Sequence, residues 1–377
     1  MRSPDGRPEG ARAVVCVGDP EADAASHETH TRHTLAREIA GMRGWIFEGE
    51  FDVDRHARRQ PYFVPADTLD AETARRLGVR GEHDLFGGVV PQRFVATKTI
   101  SHPLIDAEAV APAGWSHALA EQVRPVTLPG FSAFGLRDAL EAGHRLLGRG
   151  SVRVKLATGV GGIGQSVARD AGELESALSE FDAAGMLASG VVLEPNMAEI
   201  ATYSIGQARL GDLLVSYYGQ QRLTENNRGS QVYGGSDLVL VRGGFTELLR
   251  HRMPESLRCA LEQARAYHMA AVRAYPGVFA SRCNYDVAQG IDESGARHAG
   301  VLEQSWRAGG ASGAEIAAMR AFLACPYLEV VRASTTEIYG EAPPAPAGAT
   351  VYFSGVDPRV GRITKYACLD GYDDDAR

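Results

Sequence analysis

The sequence predicts a protein of the α/β (α+β) class, built from two or three units. Three observations lead there. Strand-like apolar runs alternate with helical patterns through roughly the first 95 residues. A glycine-rich stretch, "VRVKLATGVGGIGQ", lies between two strand-like runs in mid-chain. The second half then holds long β segments, two of them joined by a polar turn. At 377 residues the chain exceeds one compact domain. Its 44% hydrophobic and 23% charged content are those of a soluble globular protein.

Residues 1–96 read as a Rossmann-like α/β layer. "ARAVVCVG" is a strand, "HTRHTLAREIAGMRG" a helix closed by Gly44, "GWIFEGEF" and "PYFVPA" further strands, and "TLDAETARRLG" a second helix. The first turn carries no glycine fingerprint. Residues 97–130 form a connector. Residues 131–196 read as helix, strand, glycine loop, short strand ("GQSVARD"), helix ("AGELESALSEFDAAG") and strand ("GVVLEPN"). Residues 197–342 hold the strands of "YSIGQARLGDLLVSYYG", the helix "PESLRCALEQARAYHMAAVRAY", a strand pair and the helix "GAEIAAMRAFLAC". Residues 343–377 supply the Pro/Ala linker of "EAPPAPAGA", expected to be extended, then terminal strands and an acidic tail expected to fray. There are no internal repeats.

Several function classes are excluded. A net charge of −8 leaves no basic stripe for nucleic acid. No run of about 18 apolar residues exists for a membrane span. The N-terminal apolar run is short and leads into Gly-Asp-Pro, as a core strand does and a secretory signal does not. Cys16, Cys259, Cys283, Cys325 and Cys368 are scattered and odd in number, as expected of reduced thiols in a cytoplasmic protein. Among 39 basic residues only Lys98, Lys155 and Lys365 are lysine. A compact ammonium on a thin stem fits between phosphate oxygens where a planar guanidinium does not, so each lysine marks a position to inspect.

Three devices use glycines spaced like Gly159, Gly161 and Gly164. A Walker A loop needs Gly-Lys-Ser/Thr at its end, but Gln165 and Ser166 follow Gly164. A dinucleotide fingerprint runs from strand to loop to helix, and here "QSVARDAG" reads as strand and turn. A protein-kinase loop places its lysine after the glycines, whereas Lys155 precedes them. What remains is a β-loop-β flap with a lysine on the entering strand.

That arrangement resembles the ATP-grasp superfamily, and its neighbours strengthen the match. The resemblance spans roughly residues 95–315 and implies an ATP-grasp fold with a nucleotide flap and a C-terminal mixed-sheet catalytic subdomain. It implies that Lys98, Lys155 and the loop Gly159, Gly161, Gly162 and Gly164 hold the phosphates of ATP. In "GVVLEPNMAE", similar to the family's hinge, Glu194 and Met197 are expected at the adenine edge and Glu199 at the ribose hydroxyls. More narrowly, "LFGGVVP", "YYGQQRLTENNRG" and "LEQSWRAGGASGAE" resemble a bacterial ATP-grasp-like family of undefined function, sometimes labelled biotin carboxylase. The chain is short for a biotin carboxylase.

The metal end reads as two strands, "SRCNYDVAQG" and "HAGVLEQSWRAGG", joined by "GIDESGAR". Strand side chains alternate, so Glu303 and Ser305 share a face and Asp286 can oppose Glu303 across the pair. Two carboxylates there suit Mg²⁺, a hard ion that takes oxygen ligands. The family pattern is Asp, then Glu-x-Asn; Ser305 replaces the Asn, which puts a second tightly bound metal in question. Arg307, Gly310 and Ser312 are expected to hold a substrate carboxylate or oxyanion. In the polar segment 217–237, Arg222 is nominated for the γ-phosphate and Asn227 and Arg228 for substrate, against the reading of an ordinary long loop.

His27, His30 and His33 near a helix start lack a carboxylate or cysteine at ligand spacing, and Ser26 and Thr29 look like caps; they read as a solvated helix start. As the resemblance implies, the protein is an ATP- and Mg²⁺-dependent ligase of a small-molecule carboxylate with an amine or other nucleophile, working through an acylphosphate. Lys155, Arg222 and Arg307 are its catalytic candidates. A homodimer is compatible with this reading; nucleic-acid and membrane partners are not. The alternatives are a kinase or carboxylase-like phosphoryl transferase, and a nucleotide-binding scaffold without turnover. A dinucleotide oxidoreductase ranks last, because its acidic residue would fall on a helix (Glu180, Asp182) rather than at a strand end.

Overall fold

A computed structural model describes residues 12–18, 24–56, 59–159 and 164–372. The first unit holds β1 (Ala13–Val17), α1 (His27–Arg43), β2 (Ile46–Glu50), α2 (Val53–His56), β3 (Tyr62–Pro65), β4 (Leu69–Asp70), α3 (Ala71–Leu77) and β5 (Gly88–Val90). β2, β1 and β3 form a parallel three-stranded layer. Ser26 caps α1 by accepting the Thr29 N–H, and Gly44 ends it in the left-handed region.

A connector of short 3-10 turns carries Lys98 and leads through α4 (His117–Val123) into the second unit. That unit comprises β6 (Phe131–Ala133), α5 (Leu136–Leu147), β7 (Val152–Leu156), β8 (Gln165–Ala168), α6 (Ala171–Ala183) and β9 (Val191–Pro195). Its sheet has the order β6-β9-β7-β8, and α5 and α6 cover one face through Ala139, Ala142, Leu146, Leu174 and Leu178. The strand–loop–strand geometry around the glycines is therefore that of a flap, β7 and β8 being antiparallel.

The third unit is an eight-stranded sheet. It contains β10 (Met197–Leu210), β11 (Leu213–Glu225) and β12 (Gln231–Arg242), then α7 (Phe245–Leu248) and α8 (Glu255–Ala274). β13 (Phe279–Ala280) joins β5 and β4 in the first unit, while β14 (Arg282–Asp292), β15 (Arg297–Ser305), α9 (Ser312–Ala324), β16 (Val330–Tyr339), β17 (Thr350–Asp357) and β18 (Gly361–Tyr372) complete the large unit. The order is β15-β14-β10-β11-β12-β16-β18-β17. One face packs on α8 and α4 through Ile205, Tyr285, Val287 and Tyr267; the other packs on α9 and α1 through Tyr217, Leu240, Ala333 and Met319.

The terminal strands expected within residues 343–377 form as β17 and β18, and because β18 pairs with β16 they widen the main sheet. The polar segment 217–237 is not a long loop. It forms most of the β11–β12 hairpin, whose turn is closed by Asn226 and Ser230. Its polar residues lie on two paired strands and so belong to strand faces.

Candidate functional site

On β14 and β15, Asp286 lies directly opposite Glu303, and Asn284 directly opposite Ser305. Period-2 alternation puts all four on one face. Gln221 Nε2 and Asn284 Nδ2 donate to Asp286 Oδ1 at 2.8 and 2.7 Å. Burial and the facing Glu303 push the Asp286 carboxyl up to about 6, against those two hydrogen bonds. Ser305 replaces an amide with a hydroxyl, but Asn284 supplies an amide from the neighbouring strand at the same level. Its position two residues before Asp286 was a signal that alternation alone would have revealed.

Lys98 reaches this pair from the connector. Its ammonium lies 2.8 Å from Glu303 Oε2 and donates to the Gly159 carbonyl at 2.7 Å. β15 is an edge strand, so the connector can wrap around it. Gln304, on the opposite face from Glu303, anchors that wrap by donating to the carbonyls of Val95 and Thr97 at 2.9 and 2.7 Å. Adjacent residues of one strand thus hold the connector on one face and meet its lysine on the other.

In the flap sheet, Lys155 on β7 pairs with Glu194 on β9. The other Glu194 oxygen lies 2.8 Å from His102 Nε2. Burial alone would raise the Glu194 pKa, but Lys155 and the His102 hydrogen bond together hold it down at about 2. Glu194 is 1% exposed and turned inward, its carboxylate shared by a lysine and a histidine. Met197 packs against Leu128 and Ala288 in a small core. Glu199 sits exposed, at a positive φ of 50°, where the β10–β14 register shifts. His102 had no motif to reveal it.

Of the loop glycines, Gly159 and Gly164 border the flap; Gly161 and Gly162 lie outside the described residues. Arg307 stands 3.4 Å from Asp67 of the first unit. Ser312 is fully buried and its hydroxyl accepts the Gly309 N–H at 3.0 Å, so it shapes the turn rather than offering a free donor. Gly310 lines a cleft beside Thr335, Glu337 and Lys365.

The nominations on the β11–β12 hairpin are displaced. Arg222 is held by Asp237 at 3.0 Å and by the Thr335 carbonyl at 2.8 Å. Asn227 donates to the carbonyls of Val360 and Arg362 at 2.6 and 2.9 Å, tying the hairpin tip to the β17–β18 turn, and Arg228 is exposed in the tip itself. Strands of 12 and 13 residues carry that tip past the carboxylates. The histidines also differ from a solvated helix start: His27 and His30 pack on Phe353, and His33 lies 2.7 Å from Glu50. Candidate ligand atoms of Cys16, His33 and Glu50 gather within 4.8 Å, but Arg32, 3.2 Å from Glu50, already supplies a cation there.

Behind the carboxylates lies a buried network that sequence reading missed. Arg282 on β14 donates to Glu315 of α9 at 2.8–3.2 Å, and Tyr217 donates to Glu315 at 2.6 Å. Arg282 also donates to the Arg307 carbonyl at 2.5 Å, fixing the turn after β15. Glycine at 206 is required here, because a Cβ would collide with the Tyr217 hydroxyl.

The like-charged pair yields a prediction. Asn at 286 keeps its Oδ1 as the acceptor for Gln221 and Asn284 and can turn Nδ2 toward Glu303. Asp286→Asn should therefore raise the melting temperature of the nucleotide-free protein by about 1–2 °C, the effect of roughly 1 kcal/mol. Thermal melts check this, and a lower melting temperature would refute the repulsion argument.

Solved structures with this architecture include a phosphoribosylamine–glycine ligase from Thermotoga maritima, 12% identical, covering 97% of this chain and 94% of that one with a TM-score of 0.55. A biotin carboxylase from Campylobacter jejuni is 12% identical over 95% of this chain and 87% of its own, with a TM-score of 0.53. A carboxyaminoimidazole ribonucleotide synthase from Aspergillus clavatus, complexed with ATP, is 12% identical over 96% and 94%, with a TM-score of 0.52. No curated protein matches the chain. The fold is that of the ATP-grasp enzymes. Residues 15–367 match the model of a family described as "Protein of unknown function (DUF3182)", and the chain belongs to that family.

Proposed function

We propose that the chain is an ATP-dependent ligase that joins a small-molecule carboxylate to an amine or other nucleophile. The observation that carries this reading is the convergence of Lys98, Glu303 and Asp286 at the border of the glycine flap. Two opposed carboxylates, flanked by the side-chain amides of Asn284 and Gln221, are a hard-oxygen donor set. The raised Asp286 pKa marks a pair that a divalent cation would relieve. The residues therefore fit Mg²⁺, with Asp286 and Glu303 as its holders and Ser305 beside them. When bound, Mg²⁺ supplies charge neutralisation for phosphate oxygens.

The remaining work falls to the chain. Lys98 and Lys155 present ammonium groups on either side of the flap, each now balanced by a glutamate. Phosphate oxygens can take over those lysines, leaving Glu194 with His102 and freeing Glu303 for the cation. In this reading the glycine flap excludes water. In the first step a carboxylate oxygen of the acid attacks the γ-phosphorus, the bond to the β–γ bridging oxygen breaks, and ADP leaves. In the second an amine attacks the acyl carbon, the C–O bond to phosphate breaks, and the amine loses its proton as phosphate departs. In this reading Arg307, which lies 3.4 Å from Asp67 of the first unit, orients the acid.

Hydroxylamine intercepts an acylphosphate as a hydroxamate. Incubation of the protein with ATP, Mg²⁺, hydroxylamine and pooled small carboxylates should release ADP and form a hydroxamate. ADP release without a hydroxamate would favour the kinase or carboxylase-like reading. Tight ATP binding without turnover would favour the scaffold.

A further inference from the structure

A buried amide stands beside the carboxylate pair. Asn284 is 8% exposed and lies two residues before Asp286 on β14, directly opposite Ser305 on β15. Its Nδ2 donates at 2.7 Å to Asp286 Oδ1, the oxygen that Gln221 also holds at 2.8 Å. Lys98 lies 2.8 Å from Glu303 Oε2. Ser305, the other neutral side chain at this level, is turned to a different partner. Its hydroxyl accepts from Arg282 Nη1 at 3.4 Å and its carbonyl accepts from the same nitrogen at 3.3 Å. A hydroxyl facing a guanidinium is a poor ligand for a second cation, because the two positive charges repel.

The oxygen end of the Asn284 amide is less firmly held than its nitrogen end. It lies 3.0 Å from the Tyr217 hydroxyl, which is itself 2.6 Å from Glu315 Oε1. One phenolic proton faces two acceptors, and the carboxylate, charged and nearer, takes it. With the amide turned over, Nδ2 would donate to the Tyr217 oxygen and Oδ1 would face the carboxylates. Two anions disfavour that orientation, and a divalent cation between them favours it. A hydroxyl both donates and accepts, so Tyr217 serves the amide either way.

Tyr217 reaches Asn284 across an intervening strand. On β11 it pairs with Gly206 of β10, and Gly206 pairs with Asn284. Tyr217 and Asn284 thus start two strand spacings apart, about 10 Å. The glycine between them leaves the gap, since a Cβ there would collide with the Tyr217 hydroxyl.

We infer that Asn284, not Ser305, is the third side chain of the cation site. Its amide oxygen joins Asp286 and Glu303 as a ligand, and Tyr217 is the positioning residue that holds the turned amide. The assignment rests on the ligase reading for the presence of a divalent cation.

Mn²⁺ is the probe, titrated into full-length protein with and without ADP, the free ion being read by its EPR signal. Asn284→Leu and Tyr217→Phe should each weaken Mn²⁺ binding about 10-fold, whereas Ser305→Ala should stay within about 3-fold of the parent. Asn284→Asp separates ligation from a purely structural part. Its carboxylate cannot donate to Asp286, so the metal-free melt should fall; as a ligand it should hold Mn²⁺ at least as tightly as the parent. Thermal melts verify that each variant is folded, and if Asn284→Leu does not fold, Asn284→Asp and Ser305→Ala still decide. In a parent that binds Mn²⁺, weakened binding by Asn284→Asp, or a loss in Ser305→Ala with Asn284→Leu unchanged, would overturn the ligand assignment. Undiminished binding by folded Tyr217→Phe would overturn the positioning role. A parent that takes up no Mn²⁺ under either condition would instead remove the cation from the ligase reading, and this assignment with it.

Discussion

Glu315→Gln should lower the melting temperature by roughly 5 °C, the largest stability effect expected from a single side chain here. Arg282 and Glu315 are 1% and 0% exposed. Removing one partner of such a pair leaves a buried charge uncompensated and costs about 3–5 kcal/mol. In a chain of this size that corresponds to a shift of the stated order. The Arg282→Met/Glu315→Leu double variant should recover most of the loss, since well-packed apolar replacements of a buried pair are often neutral. It should not recover ligand-dependent activity, because Arg282 also holds the Arg307 carbonyl and with it the turn bearing Gly309 and Gly310. Thermal melts of the three proteins decide this. Equal melting temperatures for Glu315→Gln and the parent would sink the argument.

Lys98→Met should reduce ATP turnover by about 10³-fold, the scale of losing one preorganised charge at a developing negative centre. Its effect on the melt should be small. Glu303, its partner, is 31% exposed and can be solvated when the lysine is gone. Lys155→Met should reduce turnover comparably but also destabilise the protein, because Glu194 is 1% exposed and would retain only His102. The Lys155→Met/Glu194→Gln pair should restore the melt without restoring turnover. ADP release and thermal melts on the four proteins separate the two roles. Turnover retained in Lys98→Met would remove that lysine from the phosphate site.

The opposed carboxylates were legible because strands obey a period of two and a short polar turn sets the register. Asp286 faces Glu303 for the same reason that Gln304 turns to the opposite face. The glycine flap was legible because elimination used only what precedes and follows the glycines. The loop alternative for the β11–β12 hairpin rested on composition: Asn and Gly at its tip are turn residues, but Tyr217 and Tyr218 before it are buried on a strand.

Local pattern therefore carried the order of elements, the flap with its entering lysine, and the opposed carboxylates, since each depends on residues close in sequence or joined by one turn. Lys98 and Lys155 could be singled out by composition, but not their pairing with Glu303 and Glu194. Those pairs join residues 205 and 39 positions apart, and no periodicity records such contacts. The same holds for His102 beneath Glu194, for Arg282 against Glu315, and for Lys365 at the cleft. Alternation tells which face a side chain takes within its own strand. Which strands become neighbours is settled by burial of whole faces against α8, α9 and α1, and that placement brought Tyr217 across Gly206 to Asn284.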